Sequence, residues 1–219
     1  MSSIPKSVVL VDNHPVVVDS LTNRLNASGD FNVVASVSNS DKAFFDIMER
    51  VPDIVVMEME LPGRGATAVA EQVLQRLPAT KIVVFTSYDA DIYLDFALKV
   101  GVSGYILKTE PLDVLVEGLK SVCTGEKVYS ASILDRLDFD PDQGEYFVKT
   151  HSYLSTLTLR QLQVLRHLVR GESVKEVAKT MTLSERAIES HKYRIMQKLG
   201  IHDRVELARF AIREGLMPA

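Results

Sequence analysis

A single cysteine, Cys123, serves the whole 219-residue chain, so no internal disulfide can form and a reducing compartment is expected. Long apolar runs are equally scarce. Stretches such as Ile54–Met57 and Ile82–Phe85 fall far short of the ~20 residues that a bilayer-spanning helix needs. Met1–Ser7 has no apolar core ahead of the strand-like Val8–Val11, so no signal peptide is read there. A cytoplasmic location without membrane contact is therefore expected. The first strand-like run leads into Asp12-Asn13-His14-Pro15 rather than a glycine-rich turn, which argues against dinucleotide binding. No internal repeat is found. The bulk composition, 46% hydrophobic and 25% charged, suits a globular protein and argues against disorder or a fibre. The length leaves room for two modest domains or one large one.

Charge is unevenly shared. Residues 1–149 carry 13 Lys and Arg against 22 Asp and Glu, a net of −9, whereas residues 150–219 carry 12 against 7, a net of +5. An acidic half joined to a basic half points to two modules, the second of which suits a polyanion.

Over the first 125 residues or so, short apolar runs alternate with segments of helical spacing. Ser7–Val11, Val33–Val37, Ile54–Met57, Ile82–Phe85 and Tyr105–Leu107 are continuous and rich in Val and Ile, as buried parallel strands are. Between them, Val17, Leu21 and Leu25, then Val69, Val73 and Leu77, then Ile92, Leu94, Ala97 and Val100 fall on helical faces. Strict alternation implies a five-stranded, doubly wound α/β domain with right-handed crossovers. Chemistry in such a sheet gathers at the carboxyl ends of the strands. Asp135–Gly144 is acidic with Pro and Gly, which reads as linker, preceded by a short helix over Ser130–Leu137. An all-helical pattern follows. Thr158, Ser173, Ser184 and Asp203 can each cap a helix, and Gly171 and Gly200 can end two of them.

Residues 7–124 resemble the receiver domain of NarL/FixJ-type response regulators. The residues that carry the likeness are Asp12-Asn13 where the family has an acidic pair, Glu58 at the phosphoacceptor position, Thr86 at the switch hydroxyl, Lys108 at the family's lysine and Tyr105 at the aromatic switch position. An aspartate attacking a phosphodonor needs a divalent cation to neutralise the phosphoryl oxygens, and Mg²⁺ takes hard oxygen ligands, commonly one or two carboxylates. The resemblance gives that cluster to the acidic pair and the acceptor. It gives Lys108 and Thr86 the phosphoryl oxygens, whose binding moves the face of the fourth helix, fifth strand and fifth helix.

Two of these parts are changed. Asn13 removes a charge at a position expected to ligate metal, and Glu58 lengthens the nucleophile by one methylene. A misplacement of about 1 Å can cost roughly a hundredfold in rate. No cofactor and no metal are expected, beyond at most weak Mg²⁺ binding at Asp12 and Glu58. Several readings of Glu58 stay open: a built-in stand-in for the phosphorylated state that reaches Lys108 and Thr86, a pseudo-receiver acting as a docking platform, residual phosphorylation at Glu58 or a neighbouring carboxylate, or a plain structural pair with Lys108. Glu60 and Tyr88 are expected to be solvated loop residues, and His14 to open the first helix with Pro15.

Residues 154–216 resemble the LuxR-type helix-turn-helix. The likeness rests on Leu157–Leu165, Gly171–Ala178, Leu183–Lys192 and Lys198-Leu199-Gly200, with Arg204–Ala208 completing it. Gln161 and Gln163 stand where glutamates are usual, so a scaffold ion pair is expected to be missing. A helix entering the major groove needs an apolar back and a polar, basic front. Ile188, Ile195 and Leu199 supply the back. Glu189, Ser190 and Tyr193 face outward for base edges, while Lys175, Lys179, Arg186, Lys192, Arg194 and Lys198 suit phosphates. His191 is expected to pack or to contact backbone.

The reading is a receiver-like domain over 1–128, a linker over 129–153 and a LuxR-type DNA-binding domain over 154–219. The expected function is transcription regulation without ordinary aspartyl phosphorylation. The partners implied are double-stranded DNA bearing an inverted repeat and a second copy of the chain, paired through about 203–213; a sensor kinase or regulatory protein is a candidate for the receiver. The alternative is a signalling adaptor whose pseudo-receiver docks a partner, with DNA binding secondary. No enzyme is expected, since no nucleophile–base pair or metal-ligand spacing appears beyond the altered cluster.

Overall fold

A computed structural model of the chain describes residues 4–63, 65–149, 153–214 and 216. The apolar runs form strands β1 (Lys6–Val11), β2 (Phe31–Val37), β3 (Ile54–Met57), β4 (Lys81–Thr86) and β5 (Gly104–Leu107). These alternate with helices α1 (Pro15–Ser28), α2 (Ser40–Arg50), α3 (Ala66–Arg76), α4 (Asp91–Val100) and α5 (Leu112–Cys123). The sheet is parallel throughout, in the order β2-β1-β3-β4-β5-β6. The chain divides into two compact units, residues 1–89 with 96–149 and residues 90–95 with 150–219.

Alternation along each strand fills both faces of the sheet. Val8, Leu10, Ile54, Val56, Val83, Phe85 and Ile106 pack with Leu21 and Leu25 of α1 and Leu115, Val116 and Leu119 of α5. On the opposite face Met57, Ile82 and Val84 meet Ala66 and Ala70 of α3 and Ala97 of α4. Full burial on both faces is why these strands read as continuous apolar runs. Among the described residues no helix is long and apolar enough to cross a membrane.

The sheet has six strands where five were expected. β6 (Val128–Tyr129) pairs Val128 with Gly104 and Tyr129 with Tyr105. A Cβ on Gly104 would lie 2.8 Å from the Val128 carbonyl oxygen, so only glycine lets this edge close.

The stretch read as linker also carries structure. One helical turn, α6 (Ala131–Leu134), is followed by an antiparallel hairpin of β7 (Leu137–Asp140) and β8 (Glu145–Val148). The helix expected up to Leu137 stops early because Leu137 is buried as the first residue of β7. The acidic Pro/Gly run makes the turn. Asp140 Oδ1 accepts from the Asp142 and Gln143 amides at 2.9 and 3.2 Å, and Gly144 takes a φ of +69°. The Tyr146 ring lies 5.1 Å from both Phe139 and Tyr129, and burial pushes the Tyr129 phenol above its ordinary pKa. Residues 150–152 lie outside the described residues.

The second unit contains α7 (Leu159–Val169), α8 (Val174–Met181), α9 (Glu185–Leu199) and α10 (Arg204–Arg213). All four expected caps form. Thr158 with Gln161 and Ser173 with Glu176 make reciprocal capping boxes, Ser184 accepts from the Ala187 amide, and Asp203 accepts from those of Val205 and Glu206. Leu162, Leu165, Val177, Ile188, Ile195, Leu207 and Phe210 form the core.

Candidate functional site

The parallel register brings four strand ends together. Asp12 follows β1, Glu58 follows β3, Thr86 ends β4 and Lys108 follows β5. The ladder continues one residue past the strands: the amides of Asp12, Glu58 and Lys108 donate to Val37, Val11 and Thr86 carbonyls at 3.0, 2.8 and 2.7 Å. This pins the backbone under each functional side chain.

Glu58 is 2% exposed and bonded through both carboxylate oxygens. Its Oε1 accepts from the Thr86 hydroxyl and from the Met59 amide at 2.6 Å, and its Oε2 lies 2.6 Å from Lys108 Nζ. Asp12, 5% exposed, is the second partner of that ammonium, at 2.5 Å from Oδ2. Its Oδ1 accepts from the His14 amide at 2.8 Å and lies 2.8 Å from His14 Nδ1. The structure therefore joins Asp12, Glu58, Thr86 and Lys108 in one buried network, while Asn13 is exposed and outside it. His14 precedes Pro15 at the start of α1, as expected.

One ligand atom from each of Asp12, His14 and Glu58 lies within 4.8 Å of the others, a spacing that a single cation could bridge. Mg²⁺ prefers oxygen donors and several waters. Here the Lys108 ammonium lies between the two carboxylates, and their other oxygens already accept hydrogen bonds. The two carboxylates are of the kind that Mg²⁺ takes, and in this arrangement the Lys108 ammonium balances them.

Glu60 and Tyr88 are not the solvated loop residues expected. The Tyr88 hydroxyl donates to Glu60 Oε2, the Tyr88 amide donates to Thr86 Oγ1 at 3.2 Å, and the Tyr88 carbonyl accepts from the Tyr105 hydroxyl at 2.5 Å. Tyr105 is fully buried. The chain from Glu58 through Thr86 and Tyr88 to Tyr105 is thus continuous. The loop after β3 is fixed as well, since Ser40 Oγ donates to the Pro62 carbonyl at 2.7 Å and a Cβ on Gly63 would meet Ser40 and Asp41 at 2.6 Å.

In the second unit α9 turns Ile188 and Ile195 inward and leaves Arg186, Glu189, Ser190, Tyr193 and Arg194 exposed, with Lys192 half-buried. Lys175 and Lys179 are exposed on α8. Glu189 and Lys192 form a 3.4 Å pair, and Gln197 donates its amide to Tyr193 Oη at 2.7 Å. Lys198, expected to suit phosphate, is exposed and also makes contacts within the unit. Its ammonium donates to the Thr156 carbonyl at 2.7 Å and to Gln161 Oε1 at 3.1 Å, holding α9 to the start of α7. Gln161 thereby keeps a neutral version of the scaffold contact, and Gln163 accepts from Arg160 at 3.0 Å. His191 packs, as expected. Its Nδ1 is buried with no hydrogen-bond partner among the described residues, and burial, then Arg160 and Arg194, hold its pKa below the ordinary value.

A parallel sheet with acidic, hydroxyl and lysine side chains at its strand ends, joined to a capped helix-turn-helix with a basic face, defines a DNA-binding response regulator. Residues 8–120 match the family described as "Response regulator receiver domain", and residues 155–211 match "Bacterial regulatory proteins, luxR family". The chain belongs to the response regulators of the NarL/FixJ type.

Among its relatives is the oxygen regulatory protein NreC of Staphylococcus carnosus, 29% identical over 96% of this chain and 98% of that one. NreC of Staphylococcus aureus is 30% identical with the same coverage. A LuxR-family two-component response regulator from Aurantimonas superposes at a TM-score of 0.57 with 28% identity, covering 60% of this chain and 94% of that one. RcsB of Salmonella typhimurium shares the fold at a TM-score of 0.68 and 21% identity, over 95% of this chain and 97% of that one.

Proposed function

We propose that this transcription regulator carries a receiver held in its signalling arrangement by Glu58, in place of a phosphoryl group. The observation that carries the reading is the simultaneous bonding of the Glu58 carboxylate to Thr86 Oγ1 and Lys108 Nζ. These are the two contacts that the family resemblance assigns to phosphoryl oxygens. A glutamate reaches one methylene further than an aspartate and supplies the anion itself, so no added group is needed. Tyr105, buried and bonded to the Tyr88 carbonyl, is consistent with a switch already thrown. The Lys108 ammonium, held between the Asp12 and Glu58 carboxylates, supports the same reading because it balances the anion that Glu58 supplies.

The output is binding to double-stranded DNA, with α9 in the major groove and a homodimer spanning an inverted repeat in the cytoplasm. One basic module alone binds weakly and with strong salt dependence, and pairing raises affinity through effective concentration. Val205, 61% exposed, and Ile212, 39% exposed, lie on one side of α10 and suit pairing of two copies. Retention of duplex DNA that is lost with added salt, and with Lys192→Glu, supports the regulator. Salt-independent capture of a protein partner without duplex retention would favour the adaptor instead. Labelling of wild type by an acyl-phosphate donor with Mg²⁺, absent in Glu58→Gln, would overturn the proposal for the receiver.

A further inference from the structure

The exposed stripe of α9 is ordered before any ligand arrives. At about 100° per residue, Arg186, Ser190, Tyr193 and Gln197 share one line along the helix, opposite the buried Ile188 and Ile195, with Glu189 at its border. Tyr193 is 63% exposed, and Gln197 Nε2 donates to its Oη at 2.7 Å from one turn further on. A phenol oxygen both accepts and donates, whereas an amide nitrogen only donates. With its acceptor side turned to Gln197, Tyr193 has its own proton left to offer outward. Glu189, at the other end of the same stretch, can only accept. Its 3.4 Å pair with Lys192 joins side chains 56% and 39% exposed, so a base can take over that carboxylate readily.

Resting on the reading that α9 enters the major groove, we propose that Gln197 is a positioning residue for base recognition. By occupying the acceptor side of the Tyr193 hydroxyl it makes Tyr193 a hydrogen-bond donor, matched to purine N7, guanine O6 or thymine O4. Glu189 takes the exocyclic amine of cytosine or adenine. Four residues of helix separate the two, about 6 Å or roughly two base-pair steps. The preferred half-site thus pairs an amine-bearing base with an acceptor-bearing one at that spacing. Gln197 itself need not touch DNA.

The test uses the full chain. Duplexes retained from a randomised pool give the preferred site, and affinities for that site and its single-base variants are measured over a range of salt for wild type, Tyr193→Phe, Gln197→Ala and Gln197→Glu. All substituted side chains are exposed, so folding is not at stake. Tyr193→Phe is expected to lose about three- to tenfold discrimination at one base position, with its salt slope unchanged. Gln197→Ala should lose about half of that factor at the same position. Gln197→Glu, whose carboxylate draws the phenol proton inward, should abolish or reverse the preference there, measured against its own non-specific affinity. Uniform weakening of all sequences by Tyr193→Phe would mean that Tyr193 meets phosphate, and would overturn the proposal. Unchanged preference in both Gln197 variants, or no base preference in wild type, would do the same. Failure of wild type to retain any duplex at low salt would instead sink the DNA-binding reading itself.

Discussion

The strand-end pocket and the α9 face are both rich in charge, and they treat it in opposite ways. In the pocket Asp12, Glu58 and Lys108 are buried and bonded to one another at 2.5 and 2.6 Å. On α9 the Glu189–Lys192 pair is long and half-exposed, and Arg186 and Arg194 project into solvent. Burial makes a charge dependent on its partner, because an ion left alone in a low-dielectric site costs several kcal/mol. Exposure leaves a charge free to exchange water for phosphate. The same residue types thus build a buried, mutually bonded network in one place and an exposed face in the other.

Removing the pocket's cation tests this contrast most severely. Lys108→Met strands two buried carboxylates and should destabilise the first unit by about 3–5 kcal/mol in urea unfolding. A loss below about 1 kcal/mol would show that the carboxylates are not held by the ammonium. Thr86→Val keeps the shape but withdraws the hydroxyl from Glu58. A loss of about 1.5–3 kcal/mol is expected, since the acceptor is a buried carboxylate.

Two lysines on α9 sharpen the comparison from the other side. Lys192→Ala should leave stability almost unchanged while reducing the salt slope of DNA binding by about one. Lys198→Met should do the reverse, costing about 1 kcal/mol of stability with the slope intact, because its ammonium serves Thr156 and Gln161. Equal behaviour of the two variants would erase the distinction.

The smallest effect is expected at His191. Its pKa is lowered in the folded unit, chiefly by burial. As pH falls through about 6.5 the unfolded chain takes up the proton first, so stability declines there and levels off below the folded value. Unfolding measured between pH 7.5 and 5 should show this decline in wild type and lack it in His191→Asn.

Most of the fold was legible because its signals are local. Continuous Val/Ile runs gave the buried strands, and Thr158, Ser173, Ser184 and Asp203 fixed the starts of the last four helices. What escaped depended on distance or brevity. β6 has only two residues and exists because Gly104 admits Val128. The β7–β8 hairpin was hidden by its turn, whose Asp, Pro and Gly also suit a linker. The alternation of Leu137 and Phe139 before it, and Tyr146 and Val148 after it, was the available signal. Within the site, the membership of Asp12, Glu58, Thr86 and Lys108 followed from strand ends, but the partner each side chain chose did not. Tyr88 and Glu60 are 28 residues apart and meet only because β3 and β4 are neighbours. Lys198 donates to a carbonyl 42 residues away, a contact that spacing along α9 does not reveal.

The central claim, that Glu58 supplies the anion which Thr86 and Lys108 bind, is tested most directly by one set of measurements. Mass in solution and affinity for the selected duplex are compared for wild type, Glu58→Asp and Glu58→Gln, each with and without acetyl phosphate and Mg²⁺. Wild type should bind equally well in both conditions, and Glu58→Gln should bind more weakly in both. Equal mass and affinity for wild type and Glu58→Gln, or a wild type that responds to acetyl phosphate, would contradict the account.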